Sequence, residues 1–315
     1  MKRTSLMLIS LVVLGTMVAS CAAPTAAPGA AKLAEPTKAP TIPPAPTQPP
    51  EAMSENPAAC AGLKEKHASI VGSTIRVGMS TASPGYGVVD PNDSSKLLGI
   101  DPDMVAALAD CLGFKFEYLA LDFPGLVPAL TANRIDIIYS AMYATPARAE
   151  QVNFIIYQKA STGSVVQKGM AGSIKSLDDI CGKIASSVTG TVEAEQQGLH
   201  SEKCVAAGKP AIEMLLFKDN DAAVRAVQNK RADIFMTDAG LAGELSRQFA
   251  DSLDLGFSIA SEFRFGIGLN KDDPARTDAL LEGVKVLQEA GIHAQLLEKW
   301  GFGSAALEPA ALVTK

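Results

Sequence analysis

The chain has 315 residues, of which 47% are hydrophobic and 20% charged, and a formal net charge of −6. That length is ample for a globular body of two domains. An acidic balance with no basic stripe argues against nucleic acid as a partner.

The first 20 residues read as a leader. Lys2 and Arg3 precede an uncharged apolar run, Leu6–Val18, which is short for a bilayer span. Val18-Ala19-Ser20-Cys21 follows, and small residues before a cysteine at that place resemble the bacterial lipobox. Cys21 is therefore the expected lipid attachment residue and new N-terminus. The chain is expected outside the cytoplasmic membrane, at the cell surface or in the periplasm, tethered by its acyl chains. Residues 21–57 are low-complexity Ala/Pro/Thr sequence with no apolar periodicity. Such a segment favours extended, semi-rigid conformations and reads as a spacer. No later apolar run reaches membrane-spanning length.

Residues from about 58 onward carry alternating strand and helix patterns, the signature of an α/β domain with a mostly parallel sheet. Thr74–Ser80 is a first strand, followed by turn-rich sequence at Ser83–Gly87 and Asp90–Ser95. Asp101 reads as the N-cap of the next helix, with Pro102 at its first position and Gly113 near its end. Phe114–Leu121 is the next strand, and Phe123-Pro124-Gly125 opens another helix. That helix begins an internal repeat. Leu126–Ala141 aligns without gaps against Ala223–Asp238, with identities at Val127/Val224, Ala129/Ala226, Arg134/Arg231, Asp136/Asp233 and Ile137/Ile234. Each copy reads as a helix, a polar tip and a short buried strand that breaks into small or polar residues. In open parallel sheets ligands sit beyond the carboxyl ends of strands, so the repeat suggests two lobes facing a shared cleft.

After the first copy, residues 151–168 read as extended chain, Leu177–Ser187 as a short helix and a strand, and Thr189-Gly190-Thr191 as the lead into a helix from about Val192. Free N–H groups and a hydroxyl at such a helix start suit an anionic group. Phe263–Asn270 is a returning strand, and Thr277–Trp300 reads as one amphipathic helix with Trp300 in its packing face. Beyond Cys21 the cysteines are Cys60, Cys111, Cys181 and Cys204. An even number in an exported chain suggests disulfides. Three pairings are possible and the sequence does not choose; Cys181 with Cys204, bracketing one supersecondary unit, is preferred, which leaves Cys60 with Cys111. His67, His200 and His293 are not read as paired with a cysteine or with one another, and no metal site and no cofactor are expected.

Eight segments then carry a family resemblance in order: IRVG, LGIDPDMVAALADCLGFKFEY, FPGLVPALTANRIDII, YATPARAEQVNF, SLDDICGKIASSVTGTVEAE, NKRADIFMTD, FGIGLNKDDP and EKWGF. Together they resemble the bacterial extracellular solute-binding proteins of the polar-amino-acid type, family three, the receptors of ABC importers. The resemblance implies an α/β, two-lobed type II periplasmic-binding fold, lobe I at 58–162 plus 262–315 and lobe II at 163–261. The lobes would be joined by crossover strands near 160–166 and 258–264 and would close on a ligand. It further implies a monomeric receptor for an amino-acid-like small molecule, with an ABC permease as its partner.

By position, Arg148 matches the arginine that takes a ligand carboxylate, Asp238 the acid that takes the ammonium, and Thr191 the helix-start donor, with Val192 beside it. Ser140 and Tyr143 stand at the end of the first repeat strand, and Phe123 at an aromatic wall. Ser80 and Ser83 replace the acid and the tyrosine often found after the first strand, Tyr86 stands in the opposing loop, and Tyr143 replaces a small hydroxyl residue. The side-chain pocket is accordingly expected to be neither strongly acidic nor strongly basic, which disfavours lysine or arginine. An enzyme on this fold, a dehydratase of small carboxylic acids, needs an acid/base group in the cleft. Glu193 is the best candidate but reads better as a first-turn helix acid. No catalytic residue is assigned. A ligand-sensing subunit for a membrane receptor is the third reading.

Overall fold

The structure is a computed structural model and describes residues 58–314. The leader, Cys21 and the spacer lie outside the described residues. The elements in chain order are α1 (Ala58–Lys66), β1 (Thr74–Met79), β2 (Ala82–Ser83), β3 (Gly87–Asp90), β4 (Asp93–Leu98), α2 (Ile100–Leu112), β5 (Lys115–Ala120), α3 (Leu126–Thr131), β6 (Ile137–Tyr143), α4 (Pro146–Ala149) and β7 (Asn153–Gln167). They continue with β8 (Ile184–Val188), α5 (Val192–Ala206), β9 (Glu213–Phe217), α6 (Asn220–Gln228), β10 (Ile234–Asp238), α7 (Ala239–Gln248), β11 (Leu253–Leu255), β12 (Ile259–Leu269), α8 (Pro274–Glu289), α9 (Ile292–Lys299) and β13 (Leu307–Val313).

The main sheet runs β5-β1-β6-β12-β7-β10-β8-β9 and has the same plan from either end. At one end β1 pairs in parallel with β5 and β6; at the other β8 pairs in parallel with β9 and β10. β12 and β7 lie antiparallel between the two halves and to each other. Both are long, and they carry the chain from one lobe into the other. β13 adds to β7 and was not anticipated from the sequence, nor was the small β2-β3-β4 sheet in the turn-rich stretch.

The repeat is structural. Asn133 and Lys230, at matching positions, both take left-handed φ, 55° and 57°. The Arg134 amide donates to Ala129 O at 2.9 Å and the Arg231 amide to Ala226 O at 2.8 Å. Asp136 then accepts from the Arg76 amide at the edge of β1, and Asp233 from the Ile184 amide at the start of β8, at 2.8 and 2.9 Å. Each carboxylate thus fastens its repeat strand to the neighbouring parallel strand. Beyond this link, Arg76 also reaches Asp136 with its guanidinium in a two-pronged contact that has no counterpart at Asp233.

Two local expectations are corrected. Asp101 is not an N-cap: α2 starts two residues earlier than expected, at Ile100, its N-cap is Gly99 at φ 143°, and Asp101 is buried, 1% exposed. A Cβ at Gly99 would stand 2.0 Å from Tyr86 O, so the close approach of two chain segments requires glycine there. The final helix is two, because Gly291 at φ 75° turns the chain between α8 and α9. Trp300 packs, as expected, and its indole N–H also donates to Asp103 at 2.7 Å.

Disulfides join Cys60 to Cys111 and Cys181 to Cys204, with Cα–Cα distances of 4.8 and 5.6 Å. The first ties α1 to α2, and the second ties the loop before β8 to α5. Loops of 51 and 23 residues correspond to roughly 3–4 kcal/mol each in the chain-entropy account. His200 is four positions before Cys204 on one face of α5, a spacing the sequence reading overlooked.

Candidate functional site

The carboxyl ends of β1, β6, β8 and β10 converge on one cleft, the position at which open α/β sheets hold ligands. It is lined by Ser80, Ser83, Tyr86, Phe123, Ser140, Ala141, Tyr143, Val188, Thr191, Glu193, Asp219, Asn220, Thr237 and Asp238. The strand-end pairs of the repeat, Ser140 with Thr237 and Ala141 with Asp238, all belong to this lining.

Asp238 closes β10 and caps α7, its Oδ1 accepting from the Leu241 amide at 2.9 Å. The Tyr86 hydroxyl, from the loop between β2 and β3, donates to the same oxygen at 2.8 Å. Burial pushes the Asp238 carboxyl up to about 7, against the helix-start amide and the Tyr86 hydroxyl, which favour its charged form. Tyr86 itself is held well above its ordinary pKa by burial and by the Asp238 charge. Its ring stacks on Phe302 at 4.5 Å and meets Phe265 edge-on at 5.6 Å. Tyr86 is thus a packing aromatic and a polar cleft group at once.

The Tyr143 hydroxyl donates to Glu193 at 2.8 Å, with Ser161 O 3.3 Å away. Glu193 is 3% exposed, and burial raises its carboxyl above the ordinary value. It is a first-turn helix acid, as the sequence suggests, but its carboxyl faces the cleft. Thr191 caps α5: its hydroxyl accepts from the Ala194 amide at 3.2 Å and donates to Val188 O at 2.8 Å. The Ser140 hydroxyl accepts from the Ser80 amide at 3.0 Å. Asn220 donates to the Ser83 hydroxyl at 2.8 Å.

Arg148 and Val192 do not line this cleft. Val192 is buried in the core. Arg148 lines an adjoining hollow that shares Phe123, with its guanidinium 5.5 Å over that ring. It donates to Tyr143 O at 2.7 Å and to Gly190 O at 2.9 Å. Those bonds use two of its five donors. Thr145 caps the short α4 that carries it.

The lining also corrects the expected charge of the pocket. Glu193, Asp219 and Asp238 are in it, and no lysine, arginine or histidine is. Asp219 and Asn220 were missed by sequence reasoning. The repeat held the signal: extended upstream, the alignment sets Asp219 and Asn220 against Asp122 and Phe123.

Tyr86–Asp238, Tyr143–Glu193, Arg148–Gly190 and Asn220–Ser83 each join one half of the sheet to the other, as does the Lys218–Asp122 ion pair at 3.7 Å. Two similar α/β lobes joined by crossover strands, with a polar cleft between them, define a type II periplasmic-binding fold, the architecture of a solute receptor. The chain belongs to the bacterial extracellular solute-binding proteins, family 3, whose profile matches residues 75–304. The arginine-binding extracellular protein ArtP of Bacillus subtilis (strain 168) is 28% identical over 230 residues, 70% of this chain and 84% of that one. Among solved structures, an ancestral arginine-binding protein bound to arginine is 29% identical with a TM-score of 0.66, covering 73% of this chain and 98% of the other. The ancestral amino acid-binding protein AncCDT-1, described as a precursor of cyclohexadienyl dehydratase, is 26% identical with a TM-score of 0.65, over 76% of this chain and 99% of its own.

Proposed function

We propose that this protein is a lipid-anchored, extracytoplasmic receptor, held by Cys21, that captures an α-amino acid with a cationic side chain and delivers it to an ABC importer. The observation that carries the ligand class is the cleft lining: three carboxylates, the aromatic faces of Tyr86, Phe123 and Tyr143, and no basic side chain. A positively charged ligand offsets those acids, of which Glu193 is buried and Asp219 and Asp238 partly so, where a neutral one does not. Asp238 takes the α-ammonium. Arg148 takes the α-carboxylate with donors left over from its bonds to Tyr143 O and Gly190 O, together with the start of α5 at Thr191. Ser80, Ser83 and Ser140 complete the polar contacts. The side-chain cation lies towards Glu193 and Asp219. The names of ArtP and of the ancestral arginine-binding protein support this class. The lobes, at 58–162 with 262–315 and at 163–261, close by bending where β7 and β12 cross, and the receptor works as a monomer.

The test is calorimetry of the purified protein against arginine, lysine, glutamine, leucine and propionate. Saturable binding with cationic amino acids ahead of neutral ones is the expected result. A cleft that binds propionate as well as arginine would remove Asp238 from its role.

One observation favours a second reading. Glu193 is a buried carboxyl with a raised pKa beside the Tyr143 hydroxyl, suited to proton donation in a dehydratase. Turnover of a cyclohexadienyl carboxylate that stops in Glu193→Gln would establish it; binding without turnover is expected.

A further inference from the structure

Outside the cleft lining, the corner between β8 and α5 gathers metal-ligating groups that the receptor function does not use. Cys181 ends a short 3₁₀ turn, Leu177–Ile180, and Cys204 and His200 lie on the inward face of α5. Both α5 residues are buried, at 2% and 8% exposure. The ligand atoms of Cys181, His200 and Cys204 all lie within 4.8 Å of one another. His200 Nε2 lies 3.1 Å from Asp178 Oδ1 but outside hydrogen-bond geometry, and is a buried ring nitrogen with no hydrogen-bond partner. Ring nitrogens buried in this way are normally satisfied. Asp178, on the same turn as Cys181, is 79% exposed at its side chain and stands at the mouth of the corner.

We propose that reduction of the Cys181–Cys204 disulfide turns this corner into a zinc-binding site made of both thiolates, His200 and Asp178. A dithiol reductant supplies two electrons and two protons: the S–S bond breaks, two thiols form, and the reductant becomes a disulfide. Zinc then displaces both thiol protons, forms two Zn–S bonds and takes the His200 imidazole, with the Asp178 carboxylate in the fourth position. Two thiolates with imidazole and carboxylate in a tetrahedron is a donor set that suits zinc. The geometry is close. Zn–S bonds of about 2.3 Å at a tetrahedral angle hold two sulfurs roughly 3.8 Å apart. The bonded sulfurs must therefore part by less than about 2 Å, within the reach of a cysteine rotamer change on the Cys181 turn. The His-x-x-x-Cys spacing on α5 already places two ligands on one helical face. In the oxidised protein the disulfide occupies both sulfurs, so the site exists only in the dithiol state.

The test uses the full chain, oxidised and dithiol-reduced, titrated with cobalt(II) and then zinc(II). Reduced protein is expected to develop a thiolate-to-cobalt charge-transfer band at one equivalent, bleached by zinc, while oxidised protein develops none. His200→Ala in the reduced state should weaken cobalt binding at least about tenfold. The Cys60→Ser/Cys111→Ser double variant should keep it, because its remaining disulfide is the one in question. If the reduced chain loses its circular-dichroism signal, zinc should restore it in the parent and not in His200→Ala. The proposal is overturned if the reduced parent shows no band and no zinc-dependent refolding. It is equally overturned if His200→Ala binds as tightly as the parent, or if the Cys60/Cys111 variant loses the site.

Discussion

The Tyr86 hydroxyl donates to Asp238 Oδ1 over 2.8 Å, from a loop of one lobe to the strand end of the other. The same carboxylate caps α7 and is assigned here to the ligand ammonium. In the proposed function, contact between the lobes and capture of the ligand both draw on this one acid.

A hydrogen bond from tyrosine to a carboxylate contributes about 1.5–3 kcal/mol where it is buried. Tyr86→Phe removes it while keeping the ring stack on Phe302. The ligand-free protein should then be more open, and its radius of gyration in small-angle scattering should rise. Gly240→Ala tests the same contact sterically. A Cβ there would stand 2.5 Å from Phe302 Cε1 and 2.7 Å from the Tyr86 hydroxyl. Overpacking of this kind costs about 1–3 kcal/mol, so ligand affinity should fall on the order of tenfold.

Binding should depend on pH through Asp238. Its carboxyl titrates at about 7 in the empty cleft, and an ammonium ligand needs it charged. Affinity is therefore expected to rise between pH 5.5 and 8, most steeply below about 7, with proton release on binding. Calorimetry in buffers of different ionisation enthalpy measures that release. Asp238→Asn should abolish its part of the pH dependence.

Stability should depend on pH in the opposite sense. Asp101 is fully buried, and burial pushes its carboxyl up to about 8, while an unfolded chain ionises it near the ordinary value of 3.8. Between those values the folded state holds a proton that the unfolded state does not, so stability falls as pH rises through that window. Asp101→Asn should flatten the decline in Tm between pH 5 and 8, as scanning calorimetry would record.

Each disulfide should contribute about 2–5 kcal/mol. For a body of this size a loss of 3 kcal/mol lowers Tm by roughly 6–12 °C. The Cys60→Ser/Cys111→Ser variant should show that drop with ligand affinity little changed, because the bond ties α1 to α2 away from the cleft.

Much of the architecture was legible in the sequence because the repeat is local. Helix spacing, the Asn133 and Lys230 turns and the Asp136 and Asp233 tethers recur at fixed offsets, so the strand ends that meet at the cleft could be named. The same local logic failed at Asp101, where tertiary contacts decide: Gly99 passes so close to Tyr86 O that the helix begins earlier and buries the aspartate. β13 could not be foreseen, since its pairing with β7 joins segments distant in the chain. Asp238, Thr191 and the serines, named by position in the sequence, line the cleft. Arg148 lines the hollow beside the cleft, with two of its five donors on carbonyls and its guanidinium over the face of Phe123, contacts that no local pattern encodes. Glu193 was undervalued: its helix-start position was visible, but its cleft-facing carboxyl depends on Tyr143 arriving from the other lobe.

The most direct measurement is arginine binding by calorimetry to the parent and to Asp238→Asn. Asparagine is as good an N-cap as aspartate, so α7 is kept while the charge is lost. The parent should bind one arginine, ahead of glutamine and leucine, and the variant should lose about 2–3 kcal/mol, roughly a hundredfold in Kd. A parent that binds no α-amino acid, or a variant that binds arginine as tightly as the parent, would contradict the account.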